Sequence, residues 1–158
     1  MSDKETLHFK IGLSGTLETK GPEIKISVND KEFVHSTLPG VELTYFEFDA
    51  EVDEGNCNLC IELLNKTAND TVKGDSDEIV SDLLLNIDSV EIDEIELGTI
   101  KWTHSDYQPI YPTDYVQNQQ KHGNDLSKSI KECVNLGWNG RWNLPFQSPF
   151  YIWLLENI

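Results

Sequence analysis

Phe46-Glu47-Phe48-Asp49-Ala50-Glu51-Val52-Asp53 alternates an apolar residue with an acid without a break. Successive side chains of a β-strand point to opposite faces, so this stretch has one apolar face and one wholly acidic face. That pattern predicts a strand of an antiparallel sheet packed on one side and wet on the other. The same period recurs on either side of it. Upstream, Phe9, Ile11 and Leu13 alternate with Lys10 and Gly12, and Glu23-Ile24-Lys25-Ile26-Ser27-Val28 reads as a half-buried strand. Asn29-Asp30 offers a tight turn into Lys31-Glu32-Phe33-Val34-His35, which predicts a hairpin. Residues 14–22 and Leu38-Pro39-Gly40 read as loops. Downstream, a turn over residues 53–56 leads into Cys57-Asn58-Leu59-Cys60-Ile61-Glu62-Leu63, a strand ending near Leu64. A polar loop follows to about Ser81, and then two long apolar-rich stretches, 83–92 and 95–102, read as further strands.

The segment 105–131 is different: Tyr, Pro, Asn, Gln and His dominate it, and it reads as a long irregular surface excursion with a short helix near Leu126 to Lys131. Trp138-Asn139-Gly140-Arg141 carries a strong two-residue hairpin signal, which sets Trp138 opposite Arg141 and Trp142 opposite Gly137. The apolar run Ser148 to Leu155 predicts a closing strand tied into the core. The expected architecture is all-β, a jelly-roll-like antiparallel β-sandwich forming a single domain over residues 1–158. Its core is 7–104, its excursion 105–131, and its C-terminal hairpin and closing strand 132–158.

Charge narrows the partners. Twenty-eight acids against 12 bases give a formal charge of −16. Such a surface repels phosphate backbones and anionic lipid, so neither nucleic acid nor membrane is an expected partner. No apolar run approaches bilayer length. The start, Met-Ser-Asp-Lys-Glu-Thr, lacks the basic and apolar segments of a secretory signal, so synthesis in a cytoplasm is expected.

Site chemistry is sparse. Cys57 and Cys60 form a C-x-x-C, but on a strand residues three apart face opposite ways, which suits buried thiols and not a shared metal. His8, His35, His104 and His122 are scattered without ligand spacing, and no nucleophile, phosphate-loop or dinucleotide signature is present. The chain is therefore expected not to be an enzyme. Nine carboxylates and no basic residue between Gly74 and Ile100, with Asn65, Asn69 and Asp70 before them, admit two readings: a calcium site assembled from separate segments, or a solvated acidic face.

Four segments recur in an order that resembles one family: Gly12-Leu13-Ser14-Gly15-Thr16, Pro22-Glu23-Ile24-Lys25-Ile26-Ser27-Val28-Asn29, Ile61-Glu62-Leu63-Leu64-Asn65-Lys66 and Ile87-Asp88-Ser89-Val90-Glu91-Ile92-Asp93. Over residues 9–100 the chain is similar to calcium-dependent carbohydrate-binding modules of the xylan-binding type, which are β-sandwiches. The resemblance implies calcium held by loop carboxylates and coordinating sugar hydroxyls. Glu23, Asn65 and Asp88 match the family's positions, with Asp70 and Asp82 added from the adjoining loop. A competing reading makes Asp88 a strand residue hydrogen-bonded to a neighbouring loop. Glu94 stands where the family has glycine, and the Asp/Asn loop is longer. Cys133-Val134-Asn135-Leu136-Gly137-Trp138-Asn139-Gly140 and Ser148 to Asn157 are similar to endings of module-bearing proteins of tailed phages that infect marine bacteria.

Two functions follow as expectations. One is a virion-associated structural or accessory protein of a tailed phage, a capsid decoration or tail component made in the host cytoplasm. Its partners would be other virion proteins, with homo-oligomers in view. The other is a calcium-dependent module that adsorbs to polysaccharide, with Tyr107, Tyr111, Tyr115 and Trp138 offering flat aromatic faces for sugar stacking.

Overall fold

A computed structural model describes residues 4–76, 79–111, 113–123 and 129–157, without the side chains of 68, 79, 113–115 and 118. Two antiparallel sheets form the body of the molecule. The first runs in the order β12 (Asn135–Leu136), β8 (Leu85–Ile92), β1 (Lys4–Ser14), β4 (Thr44–Asp53), with β9 (Ile95–Glu96) also on β8. The second runs β11 (Ile130–Lys131), β10 (Asp106–Pro109), β13 (Gly140–Ser148), β5 (Gly55–Leu63), β2 (Glu23–Val28), β3 (Lys31–Thr37). A small ladder of β6 (Val72–Lys73) and β7 (Ile79–Ser81) decorates the 64–84 loop, beside a short 3-10 turn at Ala68–Asp70.

The opening alternation becomes β4. Phe46, Phe48, Ala50 and Val52 face inward, and Glu47, Asp49, Glu51 and Asp53 are exposed. Between the sheets lie Leu7, Phe9, Ile11 and Leu13 of β1, Ile24, Ile26 and Val28 of β2, and Leu59, Ile61 and Leu63 of β5. Leu85, Ile87, Val90 and Ile92 of β8 and Trp142, Leu144 and Phe146 of β13 complete this interior. The architecture is the antiparallel β-sandwich that period-two alternation predicts.

Two bulges adjust the alternation. On β8, Ile87 pairs with Leu13 and Ser89 with Gly12, which leaves Asp88 as the extra residue. That insertion lets both Ile87 and Val90 face inward although they are three apart. On β3, Val34 pairs with Ile26 and Glu32 with Ser27, so Phe33 is extra. Its ring stacks on Phe48 at 4.7 Å and closes the sandwich along the β3/β4 edge.

Asn29 and Asp30 both have positive φ (51° and 66°) and join β2 to β3 as expected. Several other expectations are corrected. Asn139-Gly140 is not a hairpin turn: β12 belongs to the first sheet and β13 to the second, so the chain crosses the sandwich there. Trp142 consequently lies opposite Ile61 and Tyr107, not Gly137. Of the stretch 95–102, only Ile95–Glu96 is strand, and α1 (Thr99–Thr103) follows. The closing run is not a strand but α3 (Phe150–Asn157), with Phe150, Trp153 and Leu154 buried at helical spacing. A solid apolar run has no period, so it does not distinguish the two. Glu5 Oε2 accepts the Phe150 N–H at 3.0 Å at the start of this helix. The 105–131 excursion contributes β10 and β11 to the second sheet and carries α2 (Thr113–Lys121). The helix expected near Leu126 falls mainly outside the described residues, and Ile130–Lys131 is strand.

Candidate functional site

Antiparallel connection brings the ends of β1, β3, β5 and β10 and the starts of β2, β4, β8 and β13 to one end of the sandwich. The loops 15–22, 64–71, 81–84 and 137–139 meet there, joined chiefly by side chains. Asn139 lies across from Lys66: its Oδ1 accepts the Lys66 N–H at 2.7 Å and its Nδ2 donates to the Lys66 carbonyl at 3.0 Å. It thus acts as an extra length of strand. The Asn139 carbonyl also accepts the Ile110 N–H at 2.7 Å. Gly140 follows because a Cβ there would stand 2.4 Å from the Gln108 carbonyl oxygen. Only glycine permits that approach.

Lys66 is the centre of this end. Its side chain is 1% exposed, and Nζ lies 2.6 Å from Asp82 Oδ1 and 2.5 Å from the Gly137 carbonyl oxygen. The same ammonium stands over the Trp138 ring, 4.8 Å from its centroid. Asp82 also accepts the Thr71 hydroxyl at 2.7 Å and the Leu83 N–H at 2.9 Å, while its carbonyl accepts the Thr16 hydroxyl. A buried ammonium requires such an enclosing set of acceptors.

The five residues considered for metal are placed as follows. Asn65 uses both ends of its amide on backbone, accepting the Glu23 N–H at 2.8 Å and donating to the Gly21 carbonyl at 3.1 Å. The Glu23 carboxylate meets His35 Nε2 at 2.7 Å on the outer face of the second sheet. Asp70 pairs with Lys20 Nζ at 2.8 Å and accepts the Thr67 N–H at 2.7 Å. Burial is the largest single influence on Asp70 and acts upward, but Lys20 and Thr67 together hold its carboxyl below the usual range. Asp82 is paired with Lys66. Asp88, on its bulge in β8, accepts the Ser14 hydroxyl at 2.5 Å; its partner is the last residue of strand β1 and not the neighbouring loop expected for it. No three acids, histidines or cysteines converge as a metal-binding group among the described residues. Each of the five is engaged by a different ammonium, imidazole, hydroxyl or amide partner, and they do not form one shared set of calcium ligands.

The aromatic candidates also separate. Tyr107 is 2% exposed, its hydroxyl accepts the Trp138 N–H at 2.9 Å and donates to the Trp138 carbonyl, and burial pushes its phenol far up. Its ring is interior and not available for stacking. Tyr111 and Trp138 are half-buried near the loop end. Tyr115 lies on α2 with its side chain outside the described residues. The cation over Trp138 is Lys66, whereas Arg141 engages Cys60 Sγ at 3.3 Å and Glu62 and Asp30 at 3.5 Å each. Cys57 faces the core and Cys60 lies beneath Arg141 on the other face of β5, and burial pushes both thiols up.

Sequence reasoning missed Lys66 and misread Asn139. A lone lysine at a strand end beside an acidic loop is the only signal for the first. For the second, Asn-Gly advertises a turn far more strongly than a bridging amide. A separate concavity of about 530 Å³ lies between α1 and α3, lined by Ile95, Leu97, Ile100, Thr103, Leu154 and Asn157. It holds none of the predicted residues, and its largely apolar wall is poorly suited to a hydroxyl-rich ligand.

No family model and no curated protein matches this sequence. Among solved structures the chain is similar to a carbohydrate-binding module, vCBM60, in complex with galactobiose. The TM-score is 0.53 at 9% identity, over 87% of this chain and 96% of that one. The likeness is one of fold: both are antiparallel β-sandwiches.

Proposed function

We propose that this protein is a non-catalytic carbohydrate-binding module that recognises a polysaccharide at the loop end carrying Trp138. The observation that carries this reading is the likeness to vCBM60, itself solved with galactobiose, over nearly the whole of that module. Support also comes from the loop end, where Lys66 stands over the ring of the half-buried Trp138 and the loops that meet there carry Thr16, Thr67, Thr71 and Asn139. An indole held by its face at a loop end that also carries hydroxyls and amides is the kind of surface that sugar rings favour. A glycan array probed with the intact chain, with galactobiose and xylan oligosaccharides included and with calcium or chelator present, tests it. Saturable signal on at least one glycan class, abolished by Trp138→Ala, is expected. Silence across the array in both buffers would remove the reading.

A second reading, a structural or accessory component of a tailed-phage particle, draws on the resemblance read in the sequence at residues 133–140 and 148–157. The exposed Tyr151, Ile152 and Leu155 of α3, with Trp102 on α1, favour it, since such apolar residues suit protein contact. The two readings are compatible, because a particle-surface protein can also adsorb to sugars. Co-sedimentation with particles is expected in this case, and a chain that stays monomeric and never co-sediments would remove it.

A further inference from the structure

We infer that the Lys66 ammonium is a built-in cation that organises this loop end in place of a divalent metal. The geometry is that of a closed site already filled. A side chain 1% exposed sends Nζ between Asp82 of one loop and the Gly137 carbonyl of another, at 2.6 and 2.5 Å, with the Trp138 ring as a third wall at 4.8 Å. Carboxylate, carbonyl and aromatic face are a complete set of partners for one ammonium, which has three donors and no acceptor. Lys20 does the same for Asp70 at the next loop, at 2.8 Å. Two of the acids that calcium would draw together, Asp82 and Asp70, are thus neutralised separately and from within the chain. At Asp82 a divalent ion would have to displace a lysine whose side chain is buried.

Lys66 is accordingly a positioning residue. It fixes the 81–84 and 137–139 loops relative to each other and holds the Trp138 indole by its face. The inference does not depend on which glycan is bound, or on whether one is.

Thermal unfolding of the intact protein in calcium and in chelator is the test, combined with a double-mutant cycle of Lys66→Met and Asp82→Asn. The wild-type midpoint is expected to be the same in both buffers. Lys66→Met should lower the midpoint, and adding Asp82→Asn should then cost less than it does alone, because the carboxylate has already lost its partner. A midpoint raised by calcium in the wild type overturns the inference, whether or not the variants fold. Strict additivity of the two substitutions overturns it as well. Neither result bears on the glycan array, whose silence would in turn leave this inference standing.

Discussion

Two carboxylates bracket the His8 imidazole on the outer face of the first sheet, Asp49 at 2.7 Å from Nδ1 and Glu47 at 3.2 Å from Nε2. The hydrogen bond to Asp49 is the larger cause, followed by that to Glu47, and together they raise the His8 pKa above the ordinary 6.5. A histidine raised in the folded state contributes stability that is fully present below its unfolded value and is lost as pH rises through the folded one. The melting midpoint is therefore expected to fall as pH climbs from about 6.5 upward, and His8→Gln should flatten that part of the profile. An NMR titration placing His8 at or below the ordinary value would contradict this. Across the hairpin from β8 to β9, Asp93 and Glu94 both hold positive φ, 52° and 69°. Glu94 thus occupies a backbone conformation that favours glycine.

The C-terminal element shows what packing supplies beyond pattern. Phe146, Phe150 and Trp153 meet with ring centroids 5.9–6.4 Å apart, and this cluster fastens α3 to the end of β13. Trp153 is 7% exposed, so Trp153→Ala should cost about 3–5 kcal/mol by denaturant unfolding. A loss below about 1 kcal/mol would show that the helix is not part of the cooperative core. The strands β1, β2, β4 and β5 were legible because each has one wet face, and wetness writes a period into the sequence. The run 150–155 and the stretch 95–102 were not, since apolar residues crowd together there and two periods fit equally. The Asp88 bulge was illegible for a related reason: its register depends on β1, whose Ser14 is 74 residues away in sequence. At the loop end, Glu23, Asn65, Asp70, Asp82 and Trp138 were all noticed. Their partners were not, because Lys20, Lys66, Thr16 and Asn139 come together only through folding.

Over the whole molecule, charge and polar cross-linking divide between the sheet face and the loop end. The outer face of the first sheet holds Glu47, Asp49, Glu51 and Asp53 in a row, answered by Lys4, His8 and Lys10. Charge along the exposed β4 edge discourages strand addition by another chain. Among the described residues no helix is long and apolar enough to cross a membrane. The loop end is the opposite kind of surface, cross-linked by short polar contacts and presenting a braced indole. On the proposed function, recognition falls at that end and not on either sheet face. The measurement that tests this most directly is an amide NMR titration of the isotope-labelled chain with galactobiose and longer oligosaccharides of the class the array selects. The account predicts saturable shifts confined to residues 15–22, 64–71, 81–84 and 137–139 and to the Trp138 indole N–H. Saturable shifts centred instead on the β4 face or on α1 and α3, or no shifts at all, would contradict it.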